Sequence, residues 1–577
     1  MRPWSVLLLV ALVMARPAAA QGLAGAALRG RITGSDSAPI DGAIVLATNL
    51  ANGERWQATT GSSGRFYIEH LSIGGPYTIE ARAVGFSPAA RSGYYLSLGQ
   101  RLLLDLVLAP ATVELEPITV VSRPDPRINA SRTGPEQVIS ESTLSRIPAL
   151  SRNFADLVRV APQVSRDLSI SGQRPSLNGV KVDGATANDL FSGRIGTPGW
   201  DLGLRTLSIE ALAELQVASA PFDVRFGEFA GGVINAVTKS GSNRFEGSLH
   251  GYLSSSALVG RDGDGTRGGD FLNQDVSLTL GGPIVRDRAA FFLQAGAVHV
   301  ELPQHFPLIG QDTAGGRDSI DVGIRRASAE RFQSILQGRY GVDAGTFDTP
   351  IELTNLSWNL LAKATVQLGL NSRLEASHTY ASSEPVVPGA GCREPGVFYC
   401  LSSRTFALDV ESHATHLSWS GTLGSRVANE LRLARSRYVH RCLPASDFAT
   451  VFVRADAGEL AAGTADFCIN ERNQQQILEL TDNLSFSAGA HRLIVGTHNE
   501  LLSLPTREWF QFLFHNQWRF QSLDSLEAGM PERYEAVIPD PTRGSGPFSD
   551  LSVTQLGLYL QDKWLSLIHI SEPTRRS

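Results

Sequence analysis

Residues 208–252 read SIEALAELQVASAPFDVRFGEFAGGVINAVTKSGSNRFEGSLHGY, and this stretch restricts the set of possible folds more than any other. Its first apolar residues have helical spacing, which predicts a helix through Ile209, Leu212, Leu215 and Val217. A glycine-dense turn follows, with Gly227, Gly231 and Gly232. β-Branched residues then predict a short strand over 233–237, and a polar turn leads into an alternating strand.

Long alternating runs dominate the chain after Phe245. Around Trp358 one face is apolar from Leu356 to Leu368, and the opposite face carries Ser357, Asn359, Lys363, Thr365 and Gln367. This run exceeds the length that a tilted strand needs to cross a bilayer. Similar runs lie at 478–486, 510–520 and 556–560. A soluble sandwich fits any single run, whereas about eleven runs favour a closed membrane sheet in which every backbone polar group is paired.

The N-terminus has the layout of a secretory signal. Arg2 precedes an apolar run, Val6 to Ala15, and an A-x-A site ends at Ala20 before Gln21. The run is too short to span a bilayer, and a buried helix is the alternative interpretation. We therefore expect residues 1–20 to be a Sec-type signal peptide that is removed on export.

Residues 22–110 form a first module of short, regularly spaced strands between turn residues, which predicts a small β-sandwich. Gly64-Arg65-Phe66 and Ala83-Val84-Gly85-Phe86 make this module resemble the carboxypeptidase regulatory-like family. The resemblance implies a fold and says little about activity.

Residues 133–240 resemble the plug of TonB-dependent outer-membrane receptors. The resemblance rests on IPALSRNFADLVRVAPQV, on LNGVKVDGATANDLF with Asp183 and Gly184, and on the opening stretch, and it points to the Oar-like branch. It implies an α+β plug followed by a transmembrane β-barrel over residues 241–565. The predicted fold class is mainly β: an N-terminal β-sandwich, the plug, and about eleven strands, the first half of a barrel of about 22.

The linker over residues 111–132 holds the peptide Glu116-Pro117-Ile118-Thr119-Val120-Val121 between prolines. It is β-prone and we expect it to stay extended and accessible. It resembles a TonB box, the segment that the TonB protein captures by strand addition. The pattern alone is weak, because any edge strand could match it.

The four cysteines, Cys392, Cys400, Cys442 and Cys468, lie in segments expected to be loops. In an oxidising compartment they allow three connectivities. We favour Cys392–Cys400 and Cys442–Cys468, since each pair closes one proposed loop. A metal site is the alternative, although the spacing does not suit C-x-x-C ligation.

Catalytic and cofactor motifs are not evident. The turn at 227–232 lacks the G-K-[ST] and G-x-G-x-x-G patterns of phosphate loops. Residues 262–265 lack the remaining ligand positions of an EF-hand. The net charge of −6 gives no support for nucleic-acid binding. We therefore expect neither an enzyme nor a resident metal or cofactor.

The last residues, SLIHISEPTRRS, do not alternate, so we expect residues 566–577 to be a non-native tail on a truncated chain.

The resemblance implies a receptor in the outer membrane of a Gram-negative-type bacterium that moves an unidentified ligand. TonB, its inner-membrane energising complex and outer-membrane lipid are the implied partners. The alternatives are a surface anchor or adhesin without transport and, less favoured, a soluble secreted protein.

Overall fold

A computed structural model describes most of the chain. The described residues are 24–111, 120–121, 136–144, 146–147, 152, 154–165, 168–188, 204–219, 221, 223–227, 229–261, 270–303, 324–347, 352–388, 399–424, 426–465, 468, 472–488, 491–507, 517–536 and 548–564. The expected signal peptide with Ala20 and Gln21, the end of the chain after 564, and Cys392 lie outside these residues.

The sandwich, residues 24–111 with 120–121, packs two sheets around one apolar core. Its strands are β1 (Ala26–Gly34), β2 (Ile44–Asn49), β3 (Arg55–Thr59), β4 (Arg65–Leu71), β5 (Gly74–Arg82), β6 (Ala89–Leu96), β7 (Arg101–Leu103), β8 (Leu106–Leu108) and β9 (Val120–Val121). One sheet has the order β4-β1-β7, with β8 also on β1, and the other has the order β3-β2-β5-β6-β9. Trp56, Phe66 and Tyr77 fill the core.

The plug, residues 136–238, is a five-stranded sheet with short helical turns. Its strands are β10 (Glu136–Ser140), β11 (Gly179–Val182), β12 (Ala185–Thr186), β13 (Leu212–Ala218) and β14 (Val233–Thr238), in the order β10-β13-β14-β11-β12. Its α-helices are Glu141–Leu144 and Phe154–Val158, and 3-10 turns cover Pro175–Leu177 and Ile209–Ala211. The two short strands expected in LNGVKVDGAT are present as β11 and β12.

The large sheet has eleven strands, ten of them long antiparallel neighbours. These are β15 (Glu246–Ser255), β16 (Leu272–Val285), β17 (Ala289–Pro303), β18 (Glu352–Gln367), β19 (Ser372–Ser383), β22 (Thr405–Leu423), β23 (Val427–Pro444), β26 (Arg472–Ala488), β27 (His491–Arg507) and β30 (Phe548–Trp564). The short β20 (Val386–Pro388) pairs with β22. The mainly-β fold class with a partial barrel is therefore confirmed.

The large sheet has its polar face inside and its apolar face outside. On β18, Ser357 is 0% exposed and Asn359 1%, whereas Trp358 is 51% exposed. Along the sheet, outward leucines on β16, β18 and β26 are likewise exposed, while the polar residues between them are buried against the plug. Such a distribution suits a sheet whose outer surface faces lipid, because lipid-facing and lumen-facing residues alternate. No helix in the described part of the chain is long and apolar enough to cross a membrane.

The cap is a fourth unit, built from the long connections at one rim of the large sheet. Its strands are β21 (Tyr399–Cys400), β24 (Thr450–Ala455), β25 (Gly458–Ala462), β28 (Gln517–Phe520) and β29 (Arg533–Glu535), in the order β21-β25-β24-β28-β29. Helix Arg326–Ile335, its π-helical continuation Leu336–Tyr340 and helix Leu523–Ala528 pack against this sheet. The opposite rim of the large sheet, which includes the turns near 287 and 370, is called the sandwich rim.

Two predicted elements were wrong. The run from Leu212 to Val217 lies in strand β13, and only Ile209–Ala211 is helical. Strand β13 is paired on both sides, by β10 and β14, and this pairing overrides the helical spacing. The run at 510–520 is not a barrel strand in its described part, because Gln517–Phe520 pairs with β24 and β29 in the cap.

Candidate functional site

The turn at Asp183-Gly184 joins the plug to the wall of the large sheet. Both residues have positive φ, 48° and 80°, and they connect β11 to β12. The Asp183 carboxylate accepts hydrogen bonds from Thr238 N at 2.9 Å and Thr238 Oγ1 at 2.7 Å. Lys363 Nζ on β18 lies 3.3 Å from Asp183 Oδ1 and 2.9 Å from Glu375 Oε1 on β19. A buried ion pair therefore crosses from plug to wall.

Neighbouring groups stabilise the negative charge of the Asp183 carboxylate. Burial of its carboxyl group raises the pKa, but Lys363, His416 and the hydrogen bonds from Thr238 together lower the pKa below its ordinary value. Next to it, the Gly184 carbonyl accepts from Arg432 Nη1 at 2.9 Å, and Arg432 Nη2 pairs with Glu430 at 2.6 Å. The φ of +80° at Gly184 is one that L side chains rarely adopt, which explains the need for glycine, and an added Cβ would also displace the Arg432 guanidinium.

A second contact lies where β12 meets β26 and β27. Thr186 N donates to Glu479 Oε2 at 2.9 Å, and Thr186 Oγ1 donates to Glu500 Oε1 at 2.6 Å. His498 Nε2 lies 3.1 Å from the same Glu500 oxygen. Lys181 Nζ of the plug donates to Thr186 Oγ1 at 2.8 Å. The plug is thus bound to this wall by polar groups of both units.

A third contact lies at the opposite side of the plug. Arg205 Nη1 bonds Asp275 Oδ2 on β16, and Ser208 Oγ lies 2.9 Å from Ser277 Oγ on the same strand. Arg152 pairs with Glu210 within the plug, and its Nε lies 3.5 Å from Asp275 Oδ2. Ser208 also bonds Glu210. The plug is therefore held to the wall on several sides by hydrogen bonds and ion pairs. Leu204 and Ala211 of the plug add smaller apolar contacts, with wall residues that include Ala381 and Phe292.

The glycine turn before β14 has a structural role. Gly232 N donates to Asn178 Oδ1 at 2.9 Å, and the Gly232 carbonyl accepts from Gly179 N at 2.9 Å. A Cβ at Gly232 would lie 2.8 Å from the Ala218 carbonyl oxygen, so only glycine fits here without movement. Gly231 N bonds the Leu177 carbonyl at 3.2 Å. Gly227 belongs to the same segment, but no contact marks it as a binding residue.

The proposed TonB box is described only at its last two residues. Glu116, Pro117, Ile118 and Thr119 lie outside the described part of the chain. Val120 and Val121 form β9, which pairs in parallel with Arg91 and Ser92 at the edge of β6. These two residues are extended. They already form a strand on the edge of the sandwich, and nothing in the sequence predicts this pairing.

The cap was not predicted as a folded unit, whereas the disulfide at its base was predicted and is confirmed. Cys442 at the end of β23 is bonded to Cys468, which is the pair placed in one loop by the sequence analysis. Cys400 is disulfide-bonded, and Cys392 falls outside the described residues. The cap core is formed by residues such as Phe332, Leu401, Val453 and Leu526, from four separate connections. In the described residues, no group of three or more His, Cys, Asp or Glu side chains could hold a metal ion.

Comparisons with known proteins agree with these units. Residues 27–109 match the carboxypeptidase regulatory-like domain family. The chain is 30% identical over 273 residues to the TonB-dependent transporter Oar of Myxococcus xanthus, covering 44% of this chain and 25% of the relative. It is 28% identical over 174 residues to the probable TonB-dependent siderophore receptor PirA of Acinetobacter baumannii, covering 27% and 22%. The chain thus spans about a quarter of the length of the curated relatives it matches.

The fold itself has a counterpart among solved structures. The outer-membrane transporter YddB from Escherichia coli superposes with a TM-score of 0.53 at 14% identity, covering 74% of this chain and 54% of that one. At this identity the similarity concerns the fold alone. The chain is therefore a sequence homologue of the Oar transporter whose large sheet and plug follow the architecture of a plugged outer-membrane transporter.

Proposed function

We propose that the chain is the plug-bearing part of an outer-membrane, TonB-dependent transporter and performs no covalent chemistry. The observation that carries this proposal is the seating of the plug by buried polar contacts, centred on Asp183 and Lys363. Such contacts are exchanged for water when plug and wall separate, and the apolar contacts of Leu204 and Ala211 form only a small part of the boundary, so the plug can be displaced from the wall. A plug held mainly by apolar packing would instead be expected to stay in place and keep the barrel closed.

The proposed cycle uses two states of the plug. A solute binds on the cap side, where the cap and the outer plug face surround the entrance. Binding favours a plug state in which the segment 116–121 is available to TonB, and the solute shifts this equilibrium by its differential affinity for the two states. TonB adds its strand to the segment, and force from the inner-membrane complex moves part of the plug. The sandwich then lies in the periplasm and the cap outside the cell.

Strand β9 adds a condition to this cycle. Val120 and Val121 use the edge of β6, and a strand edge offers its amide and carbonyl groups to one partner at a time. TonB therefore competes with the sandwich for this end of the segment. The PirA relative makes iron–siderophore complexes the first solutes to test.

The test is the variant Ile118→Pro with Ile118→Ala as its matched control. Proline removes an amide donor that strand addition uses, whereas alanine keeps it. We would measure TonB-dependent depletion, defined as the loss of a medium component to cells that carry the protein and TonB, relative to cells without TonB. The proposal predicts depletion with Ile118→Ala and none with Ile118→Pro. Equal depletion by both variants would contradict it.

The cap favours a second candidate, a surface anchor or adhesin without transport. It is a folded unit with its own core and a disulfide at its base, which suits a surface that holds a partner. For this candidate, no medium component is depleted in a TonB-dependent way, while removal of the cap abolishes attachment of cells to their target surface.

A further inference from the structure

The sandwich is seated on the rim of the large sheet that faces away from the cap. Asn243 N, in the connection between plug and β15, donates to the Ala51 carbonyl at 2.8 Å. Gln57 N donates to Asn371 Oδ1 at 3.0 Å, and Gln367 Nε2 donates to the Arg55 carbonyl at 2.9 Å. These bonds reach the turn between β18 and β19 and the connection that leads into β15.

A close approach marks the same contact. Gly53 has φ of +75° and lies against Asp287 in the β16–β17 turn, where an added Cβ would be 2.5 Å from the Asp287 Cα. Asp287 is itself fixed by Asn243, whose Nδ2 donates to Asp287 Oδ1 at 2.8 Å. The sandwich therefore fits the rim closely at a position that only glycine permits.

Glu54 carries a buried charge into this contact. Its side chain is 4% exposed and accepts from Trp56 Nε1 at 2.6 Å and Tyr77 Oη at 3.1 Å, both within the sandwich. Arg373 Nη1, from β19 of the large sheet, lies 3.1 Å from Glu54 Oε1 and also bonds Ser72. The sandwich thus presents a preorganised carboxylate, and the rim supplies its countercharge.

Glu69 repeats this arrangement at a second point. It is buried and pairs with Arg492 at the start of β27, whose side chain is also buried. Burial of the Glu69 carboxyl group opposes its charge, but Arg492, His70 and Arg101 outweigh this effect and lower its pKa from 4.5 to about 2. The carboxylate is therefore ionised while the sandwich is seated.

Asp223 joins the sandwich, the plug and the large sheet at a third point. Its carboxylate lies 2.9 Å from Arg101 Nη2 of the sandwich, 2.9 Å from Arg225 Nε of the plug and 2.6 Å from Lys563 Nζ of β30. Leu98 N of the sandwich donates to Glu214 Oε2 on β13 at 2.6 Å, and Leu98 is fully buried. The sandwich therefore also contacts the plug, on the face of the plug that is turned towards it. The whole set of contacts that the sandwich makes with the rim and the plug is called the seat.

The contacts between the sandwich and the rim are of a kind that can break and form again. The apolar core of the sandwich consists only of its own residues, so the domain keeps its core when it leaves the rim. The groups that join it to the rim are charged or polar. A buried ion pair adds little net stability, because water solvates both partners after separation, whereas removal of one partner leaves an unpaired buried charge.

We infer that the sandwich is a lid on the inner mouth of the barrel, a second closure below the plug, and that it leaves the rim when TonB acts. The inference rests on the proposed function and extends it. The closed lid is held by Glu54–Arg373, Glu69–Arg492 and Arg101–Asp223. Because β9 is a strand of the same domain, TonB pulling on 116–121 draws directly on the lid.

The first experiment tests whether the sandwich is bound to the rim and the plug, and it needs no transported solute. The probe is N-ethylmaleimide, and the reporter is Leu98→Cys in outer membranes that carry the protein. Described Cys400, Cys442 and Cys468 are disulfide-bonded and do not compete for the reagent. The control reporter is Val45→Cys in the sandwich core, which reacts only when the domain unfolds. Glu69→Arg breaks the seat, and Glu69→Arg with Arg492→Glu restores an ion pair.

The seat predicts slow labelling of Leu98→Cys, labelling at least about tenfold faster with Glu69→Arg, and slow labelling again in the charge-swapped variant. Val45→Cys stays protected throughout. Fast labelling of Leu98→Cys before any charge change would overturn the inference, because the sandwich would then not occupy the rim.

The second experiment tests the movement in living cells. Leu98→Cys is labelled with N-ethylmaleimide in cells with TonB, in cells without TonB, and in the Ile118→Pro background. The inference predicts faster labelling only in cells with TonB and an intact segment. A reporter that stays protected while TonB-dependent depletion proceeds overturns the lid and leaves the transporter proposal standing. Depletion that does not require TonB contradicts the transporter proposal instead.

Discussion

At the scale of single residues, the contact that matters most is the buried pair of Asp183 and Lys363. The sequence identified Asp183 and Gly184 within the plug motif, and Lys363 only as a polar residue on a predicted strand. This contact was not predictable, because the two residues are 180 positions apart in the sequence. No pattern in the sequence indicates which wall strand a plug turn will face. The positive φ of Gly184 was readable, since a glycine after Asp commonly marks such a turn.

Asp183→Asn tests this pair. The substitution leaves Lys363 buried with Glu375 as its remaining carboxylate partner, so we expect the plug to lose about 1–3 kcal/mol of its free energy of unfolding. The measurement is the urea midpoint of plug proteolysis in membranes. Glu141→Gln is the matched control, because its partner Lys239 lies at an exposed pair and its loss costs under about 1 kcal/mol. Equal midpoints for both variants would show that the pair does not hold the plug.

Glu69 gives the seat of the sandwich a pH dependence. Its pKa falls from 4.5 to about 2 on folding, so it adds stability above pH 4.5 that is lost as the pH falls towards 2. We expect hydrogen exchange of the Leu98 amide, corrected for its intrinsic rate, to accelerate across this range. Glu69→Gln removes the carboxylate and so flattens the dependence. A profile that is the same with and without Glu69 would contradict this assignment.

At the scale of elements, the alternating strands were predictable and their surroundings were not. The period-2 pattern of β18 identified its exposed outer face and its buried face towards the plug, since each face has one environment along the whole strand. The short run in β13 was wrongly predicted as helical because nearly every one of its residues is buried, and periodicity cannot separate a buried strand from a helix. β13 is defined by its pairing with β10, which lies far earlier in the sequence, and with β14, the next strand along the chain.

The Cys442–Cys468 disulfide fixes the cap to the end of β23. Replacing both residues by serine opens a loop of 26 residues, and the cap should lose about 3 kcal/mol of stability. We expect proteolysis within 450–462 to begin at lower temperature, while the heat stability of the large sheet stays unchanged. Single and double replacements should behave alike. A cap that resists protease equally without the bond would contradict this role.

At the scale of the whole molecule, the described chain consists of four units: the cap, the large sheet, the plug and the sandwich. The N-terminal sandwich, the plug and the barrel strands were recognisable from their own sequences, because each has local patterns and turn residues. The cap was not, because its sheet is assembled from connections spread over about 200 residues that look like separate polar loops. The seating of the sandwich was equally hidden, since Glu54 and Arg373 carry no pattern that relates them.

The most direct test of the central claim is to lock the plug to the wall. Ser208 Oγ and Ser277 Oγ are 2.9 Å apart across that boundary, so Ser208→Cys with Ser277→Cys places a reducible bond between plug and β16. Ser248→Cys with Thr279→Cys, a pair 2.6 Å apart within the large sheet, is the matched control. The account predicts that TonB-dependent depletion stops in the oxidised plug lock, returns with reductant, and continues in the oxidised control. Continued depletion through a fully oxidised plug lock would contradict it.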